Sequence, residues 1–309
     1  MHSTTHLTRF LDRLVGLDEV EPPVVVACSG GPDSLALLAL AAATDLAPIA
    51  VYVDHGLRAE SKEDARVVAR AAAAFGVVSH VVSVRVERGP NLEARARDAR
   101  YDALERARVD EGASAVLVGH TADDQAETVL LNLLRGSASR GLGGMAVHRD
   151  SVVRPLLRLR RADTEAVCAA IGLMPARDVM NDDPTFRRVW IRTEVLPALS
   201  AGAGRDLVPV LARQAEVLRA DSDYLDELAR AAWPPAPDRL PAAALARLPL
   251  PLARRAVRQW LGAPPPSLAE VERVLLVARG EVRATELTGG RRVSRCRGEM
   301  TQTRASVRP

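Results

Sequence analysis

Short runs of branched apolar residues alternate with longer amphipathic stretches over the first half of the chain. Val24–Cys28, Ile49–Val53, Val81–Val86 and Ala115–Val118 are brief, apolar and rich in β-branched residues. That is the pattern of strands buried on both faces of a parallel sheet. Between them Ser34–Ala43, Ser61–Phe75 and Leu92–Glu111 carry helical spacing, and a further helix begins near Asp123 and ends at Leu134, before Gly136. The alternation predicts an α/β fold with a doubly wound, mainly parallel sheet, in which ligands sit at the carboxyl ends of the strands. After Gly136 comes a glycine-rich loop, RGSASRGLGGM, and then a stretch of mixed pattern. Asp206–Ala232 predicts one long helix, stopped by Trp233-Pro-Pro-Ala-Pro. Short helices near Pro251–Leu261 and Ser267–Ala278 follow, and Ala284–Thr303 reads as a β-hairpin turning at Gly289-Gly290. The expected organisation is a catalytic domain over 1–205 and a smaller, mostly helical domain over 206–309 that ends in the hairpin.

Composition narrows the class. The chain has 309 residues, 48% hydrophobic and 26% charged, the balance of an ordinary soluble protein. Aromatic residues are only 3%, so a nucleic-acid surface here would rely on charge more than on base stacking. Net charge is +3 and the pI about 9.0. Lys62 is the only lysine, so arginine supplies nearly all the positive charge and suits bidentate phosphate contacts. The three cysteines, Cys28, Cys168 and Cys296, form no C-x-x-C pair, which argues against a disulfide framework or zinc site and for a reducing compartment. The N-terminal MHSTTHLTRF lacks an apolar signal core, and Leu35–Ala43, the longest apolar run, is too short to span a bilayer. The expectation is a cytoplasmic protein without a membrane partner.

Two segments carry the chemistry. In VVVACSGGPDSLALL a strand breaks into Ser29-Gly30-Gly31-Pro32-Asp33-Ser34 and a helix starts at once. Glycines there let backbone amides cradle an anion, and the helix N-terminus adds partial positive charge. Neither the Walker pattern nor the G-x-G-x-x-G fingerprint fits. A carboxylate beside phosphates needs a bridging cation, so Asp33 points to Mg²⁺. The plain alternative is a turn in which Ser34 caps the helix. After the fourth strand His120, Asp123, Asp124 and Glu127 cluster at the start of one helix. Asp123 and Glu127 are four apart, Asp124 and Glu127 three apart, so each pair can share a face. First-turn acids favoured by the helix dipole would explain one or two of them. So many polar groups beside a phosphate loop favour a metal or a cationic substrate. His120 alone fits a hydrogen bond to the loop as well as a substrate contact.

SGGPDS resembles the S-G-G-x-D-S signature of the N-type ATP pyrophosphatases, enzymes that cleave ATP between the α- and β-phosphates. Three further segments sharpen the resemblance: Val53-Asp54-His55-Gly56-Leu57-Arg58, Gly119-His120-Thr121-Ala122-Asp123-Asp124-Gln125-Ala126-Glu127-Thr128, and Leu134-Arg135-Gly136-Ser137 with Gly141-Leu142-Gly143-Gly144-Met145. With Asn91-x-Glu93-x-x-Ala96-Arg97-x-x-Arg100-Tyr101, the set is similar to the tRNA(Ile)-lysidine synthase family, in order from Val24 to about Leu199. The last hundred residues fit only by length and character.

The resemblance implies a two-step reaction. ATP with Mg²⁺ adenylates the C2 carbonyl oxygen of the wobble cytidine in a tRNA(Ile) bearing a CAU anticodon, and free lysine then displaces AMP to give lysidine. Ser29, Gly30, Gly31, Pro32, Asp33 and Ser34, with Asp54 and His55, are the implied ATP site. Asp33 and one of Asp123 or Asp124 are the implied metal ligands. Arg97, Arg100, His120, Asp124 and Glu127 are expected to meet lysine or the substrate base. Asp33, Asp124 and Glu127 are the implied catalytic groups, with Asp124 and Glu127 as candidate bases. Arg135, Arg140, Arg188 and Arg192 are the implied tRNA contacts. The tail from Arg283 to Pro309 holds seven arginines against two glutamates, a net of +5, and suits a clamp on the tRNA backbone. One departure stands out: Phe186-Arg187-Arg188-Val189-Trp190-Ile191-Arg192 places Val189 and Trp190 where the family has Asn and Arg. Trp190 could stack on a base, and packing in a core is the commoner use. Oligomeric state stays open, a homodimer included. Two alternatives remain: a tRNA thiolase, disfavoured by the scattered cysteines, and a nucleotide-dependent RNA-binding module without turnover, disfavoured by Asp33 and the acidic cluster.

Overall fold

The structure is a computed structural model that describes residues 4–56, 61–86, 89, 92–176, 187–233 and 239–304. Leu57, Arg58 and Asn91, the Asn181–Asp183 run, Phe186 and the proline cluster at 234–237 lie outside the described residues, as does the Glu93 side chain. After a first helix, α1 (Thr4–Leu11), the chain alternates as β1 (Val24–Ala27), α2 (Pro32–Ala42), β2 (Pro48–Asp54), α3 (Ser61–Ala74), β3 (Ser79–Ser83), α4 (Leu92–Asp110), β4 (Ala115–Leu117) and α5 (Ala122–Leu134). There follow α6 (Ser139–Leu142), β5 (His148–Arg149), β6 (Val152–Val153), α7 (Arg161–Ala170) and α8 (Arg187–Trp190). A π-helical turn, Ile191–Val195, leads into α9 (Leu196–Gly202), and α10 runs from Val208 to Ala232.

The sheet has the order β3-β2-β1-β4-β6-β5. Every neighbouring pair is parallel except β5 with β6. The alternation along β1 divides the core. Val24 and Val26 pack with α1, α2, α3 and α7 on one face, whereas Val25 joins Val116, Ala103 and Leu104 against α4 on the other. The sheet is therefore covered on both sides, as the unbroken apolar strands require. β3 departs from the expected Val81–Val86. It lies two residues earlier, and Val81 is 57% exposed, because an edge strand pairs only with β2 and is half uncovered. The strand order reverses between β1 and β4, so their carboxyl ends form the crevice where such sheets bind ligands. The loop Ser29–Ser34 leaves β1 there and the His120–Glu127 segment leaves β4 there.

The packing divides the chain into two compact units, Met1–Leu218 and Arg219–Pro309, a division inside α10, whereas the sequence placed a boundary at 205. In the second unit β7 (Arg239–Pro241), α11 (Ala242–Arg247), α12 (Leu250–Leu261) and α13 (Leu268–Arg279) precede β8 (Ala284–Leu287), β9 (Arg291–Cys296) and β10 (Glu299–Arg304). The expected hairpin is a larger object: an antiparallel sheet of order β7-β10-β9-β8. Gly289-Gly290 turns β8 into β9, and Arg297-Gly298, both at positive φ, makes the second turn that the sequence reading missed. Val293 and Met300 bury one face of this sheet with Leu245, Trp260 and Leu275. Among the described residues no helix is long and apolar enough to cross a membrane.

Candidate active site

The loop after β1 is held by its own hydroxyls. Ser34 Oγ accepts from Ser29 N at 3.1 Å and donates to the Gly31 carbonyl at 3.0 Å. Ser29 Oγ lies 3.3 Å from Ser34 Oγ and accepts a long bond from Gly31 N at 3.4 Å. Ser34 is thus inside the first turn and does not cap it. Gly31 is the N-cap, with Pro32 at the next position, and no side chain caps the helix. That leaves the helix N-terminus to an external anion. Gly30 has φ +86°, a region closed to most side chains, which aims the loop. Gly119 has a different reason: a Cβ there would lie 3.0 Å from the Asp33 carbonyl, so only glycine lets β4 approach α2 this closely. Asp54 Oδ1 accepts from Gly56 N at 2.8 Å at the end of β2, fixing the turn that contains His55.

α5 begins in a capping box. Asp124 Oδ2 accepts from Thr121 N at 2.8 Å and Thr121 Oγ1 at 3.0 Å, and Thr121 Oγ1 accepts from Asp124 N at 3.5 Å. One oxygen of Asp124 therefore serves the fold and Oδ1 faces the site. Farther along the helix, Gln125 exchanges two hydrogen bonds with the Met145 backbone, at 2.9 and 2.7 Å, tying down the glycine-rich loop.

The stretch of mixed pattern turns out to supply α7, and with it the residues the sequence reading missed. The Arg161 guanidinium lies 3.3 Å from Asp124 Oδ1, 3.6 Å from Glu127 Oε1 and 3.8 Å from Asp33 Oδ2. Thr164, also on α7, donates to Asp33 Oδ1. Three carboxylates from α2 and α5 are thereby gathered around one cation. Arg160 instead takes Asp123, at 3.0 and 3.1 Å, and the backbone N of Arg161 donates to the same carboxylate at 2.8 Å. Arg160 also pairs with Asp206.

Electrostatics follow from this arrangement. Burial lifts the Asp33 carboxyl to about 6, with Asp124 adding to the rise and the Thr164 hydrogen bond and Arg161 opposing it. Burial and the Asp124 charge lift Glu127 to about 7, against Arg161, Arg188 and Arg192. Burial would also raise Asp123, but its bonds to Arg160 and the Arg161 backbone bring it below its ordinary value. His120 is pushed down to about 3 by burial, only partly offset by Asp124 and reinforced by Arg154, Arg188 and Arg100. It is a neutral imidazole at neutral pH.

A metal ion fits part of the expected ligand set. Asp33 and Asp124 already share a cation, the Arg161 guanidinium, and two carboxylates plus phosphate oxygens are what Mg²⁺ favours. Asp123 is paired instead with Arg160, at 3.0 Å. Among the described residues no three His, Cys, Asp or Glu side chains are grouped to hold a metal by themselves, so phosphate oxygens would have to complete the shell.

The remaining expected residues are spread around this centre. Arg97 and Arg100 lie over the Tyr101 ring, 5.2 and 5.5 Å from its centroid. Arg188, expected to face tRNA, donates to Thr128 Oγ1 at 3.0 Å. Arg135 and Arg140 are exposed on the glycine-rich loop. Arg192 lines a cavity of about 200 Å³ with Asp123, Glu127, Arg160, Ser200 and Asp206. Val189 is buried and Trp190 is 42% exposed, so the tryptophan is not the core residue that frequency favoured. In the second unit Arg279, Arg283, Arg295 and Arg297 line a separate cavity of about 450 Å³.

Comparison with known proteins agrees with this geometry. Residues 2–199 match the PP-loop domain. The chain is 49% identical over 240 residues to a tRNA(Ile)-lysidine synthase of Mycolicibacterium paratuberculosis, covering 76% of this chain and 73% of the relative. It is 44% identical over 301 residues to the tRNA(Ile)-lysidine synthase of Nocardia farcinica, covering 93% and 94%. Among solved structures, a U34-tRNA thiolase of Methanococcus maripaludis superposes with a TM-score of 0.57 at 17% identity, over 71% of this chain and 80% of that one, a likeness of fold alone.

Proposed function

Because the chain belongs to the tRNA(Ile)-lysidine synthases of the PP-loop family, we propose that it ligates free lysine to C2 of the wobble cytidine in a tRNA(Ile) with a CAU anticodon. The product, lysidine, pairs with adenine in place of guanine and changes the amino-acid identity of the tRNA from methionine to isoleucine. One observation carries the reading: the phosphate loop and the Asp33, Asp124 and Glu127 carboxylates face one another, with a single guanidinium among them.

In the first step the C2 oxygen of the cytidine attacks the α-phosphorus of ATP. The bond to the bridging oxygen breaks and pyrophosphate leaves. The uncapped start of α2 and the Gly30 and Gly31 amides are placed to take the phosphate charge. Asp33 and Asp124 are the residues that would hold a Mg²⁺ ion, which would supply positive charge to the α-phosphate and the departing pyrophosphate. In the second step the lysine ε-amine attacks C2, the C2–O bond breaks and AMP leaves with the oxygen. The amine arrives as an ammonium and must lose a proton before it attacks. Glu127, at about 7, is tuned to accept that proton near neutral pH, and Asp124 is placed to hold the cation first. His120, neutral and beside Asp124, is a dipolar neighbour of the site and adds no charge. Arg135 and Arg140, exposed on their loop, and the arginine-lined cavity of the second unit suit RNA phosphates.

The test is to incubate the protein with ATP, Mg²⁺, labelled lysine and a CAU-anticodon tRNA(Ile) transcript. Label should appear in that RNA and not in other tRNAs. No label, or label spread over other tRNAs, would overturn the ligation. Asp33→Asn should abolish ATP–pyrophosphate exchange while tRNA binding persists, and normal exchange would remove Asp33 from the metal site.

A further inference from the structure

The two arginines at the start of α7 are held very differently. Arg160 is anchored: it donates twice to Asp123, at 3.0 and 3.1 Å, and again to Asp206. Arg161 is not. A guanidinium can fork to several acceptors at once, yet among the described residues this one makes a single long hydrogen bond, 3.3 Å to Asp124 Oδ1. Glu127 Oε1 at 3.6 Å and Asp33 Oδ2 at 3.8 Å are within ion-pair reach and too far for hydrogen bonds. Glu127 is 3% exposed, and its Oε1 has no hydrogen-bond partner. The Arg161 side chain itself is 25% exposed, so it has room to turn.

The other oxygens around it are already in use. Asp33 Oδ1 accepts from Thr164, and Asp124 Oδ2 caps α5. Asp33 Oδ2 and Asp124 Oδ1 are left, and they are the oxygens that Arg161 faces. A divalent cation bound to this pair would need the same two atoms, and it would repel the guanidinium at such short range. Arg161 would then need another anion. The nearest place for one is the uncapped start of α2, the helix that carries Asp33. Phosphate oxygens there would give the guanidinium forked, charge-assisted hydrogen bonds in place of its present loose contacts.

We propose that Arg161 is a phosphate-binding residue held in reserve: in the nucleotide-free protein its guanidinium fills the place between Asp33 and Asp124 that a divalent cation takes with ATP, and on ATP binding it turns onto the nucleotide's phosphates. The proposal rests on the ATP and metal part of the ligation reading and involves neither lysine nor tRNA. It couples the two ligands, because a metal must expel Arg161 and the phosphates receive it. Metal alone therefore binds weakly.

Mn²⁺ tests it, counted from the EPR signal of the free ion, with no tRNA or lysine present. Without nucleotide, Arg161→Met should bind Mn²⁺ more tightly than wild type by about tenfold, within the range usual for coupled sites. Arg161→Lys, which keeps the charge, should restore the weak binding. With Mn²⁺ and an ATP analogue that cannot be cleaved between the α- and β-phosphates, the Met variant should instead bind the analogue roughly tenfold more weakly than wild type. A residue that only supports the fold would weaken both. Should Arg161→Met fail to fold, Arg161→Gln, whose amide can still hydrogen-bond the carboxylates, carries the same two measurements. Mn²⁺ binding without nucleotide that is unchanged or weaker in the variant would overturn the proposal. So would unchanged affinity for the Mn²⁺-loaded analogue, since Arg161 would then not reach the phosphates. Either result leaves the ligation reading intact. Wild-type protein that binds neither Mn²⁺ nor the analogue would overturn that reading and this one together.

Discussion

Replacing Arg161 with methionine removes the one cation that, among the described residues, Asp33, Asp124 and Glu127 share, and leaves its stem in place. At 3.3 to 3.8 Å each of the three pairs is worth about 4–5 kcal/mol at an effective dielectric near 20, before desolvation is subtracted. Breaking a largely buried pair typically costs about 3–5 kcal/mol net. The loss should depend on pH with a definite sign. In the wild-type protein Asp33 stands near 6 and Glu127 near 7, above their unfolded values of 3.8 and 4.5. The folded state therefore holds more protons than the unfolded chain between about pH 4 and 7, and stability falls as pH rises through that window. For Glu127 alone the fall is on the order of 3 kcal/mol. Without Arg161 both carboxyls rise further, so the window extends upward. At pH 5.5 the two acids are already mostly protonated and Arg161 has only Asp124 left to balance. Urea unfolding followed by circular dichroism should thus show Arg161→Met weakened by about 3 kcal/mol at pH 8 and by about 1 kcal/mol at pH 5.5. An equal loss at both values would show that the arginine acts through packing alone. A variant no less stable than wild type at pH 8 would show that the three carboxylates do not depend on it.

Two further outcomes follow from the geometry. Gly119→Ala places a Cβ 3.0 Å from the Asp33 backbone, so melting should fall by an amount equivalent to about 1–3 kcal/mol and ATP affinity should drop with it; unaltered melting and nucleotide binding would mean β4 and α2 can part freely. Arg283→Gln with Arg297→Gln removes two exposed guanidiniums from the arginine-lined cavity, and the slope of log affinity for tRNA against log salt should shrink by about 0.7–0.9 for each phosphate they neutralise. An unchanged slope would place the RNA elsewhere. Point substitutions are required here, because deleting residues 283–309 would also remove Val293 and Met300 from the core of the second unit.

The pattern of apolar runs made the sheet and its helices legible, since strands buried on both faces leave an unbroken signal. The loop after β1 was legible because two glycines and a carboxylate in six residues have few other uses. What the sequence could not separate were the acids of α5. Spacing puts Asp123, Asp124 and Glu127 within reach of one another, and nothing local tells them apart. Their duties are set from α7, nearly forty residues on, where Arg160 takes Asp123 and Arg161 takes the other two. Asp124 divides further, one oxygen capping its helix and one facing the site. The buried arginines escaped notice for the same reason. Arg154 follows a two-residue strand too short to show a period, and its burial arises only when β6 pairs with β4. The second turn of the terminal sheet was missed because Arg297 is not a residue that announces positive φ, although Gly298 beside it is.

The same physics separates this site from the thiolase chemistry that shares its fold. A sulfur-transferring enzyme needs thiolates that are exposed and stabilised by nearby positive charge. Cys28 ends the buried β1 segment, and burial pushes its thiol up to about 12. Cys168 lies on α7 with its thiol directed at the Pro32 carbonyl at 3.4 Å, and burial together with the Asp33 charge pushes it up to about 11. Both thiols stay protonated at any ordinary pH, and the acid nearest Cys168 makes a thiolate still less favourable. Cys296 is exposed on β9. The arginines that would activate a thiolate are committed elsewhere, Arg160 and Arg161 to carboxylates. Around the phosphate loop the polar groups able to act near neutral pH are therefore oxygen and not sulfur, with Glu127 at about 7 the best placed to take a proton from an amine.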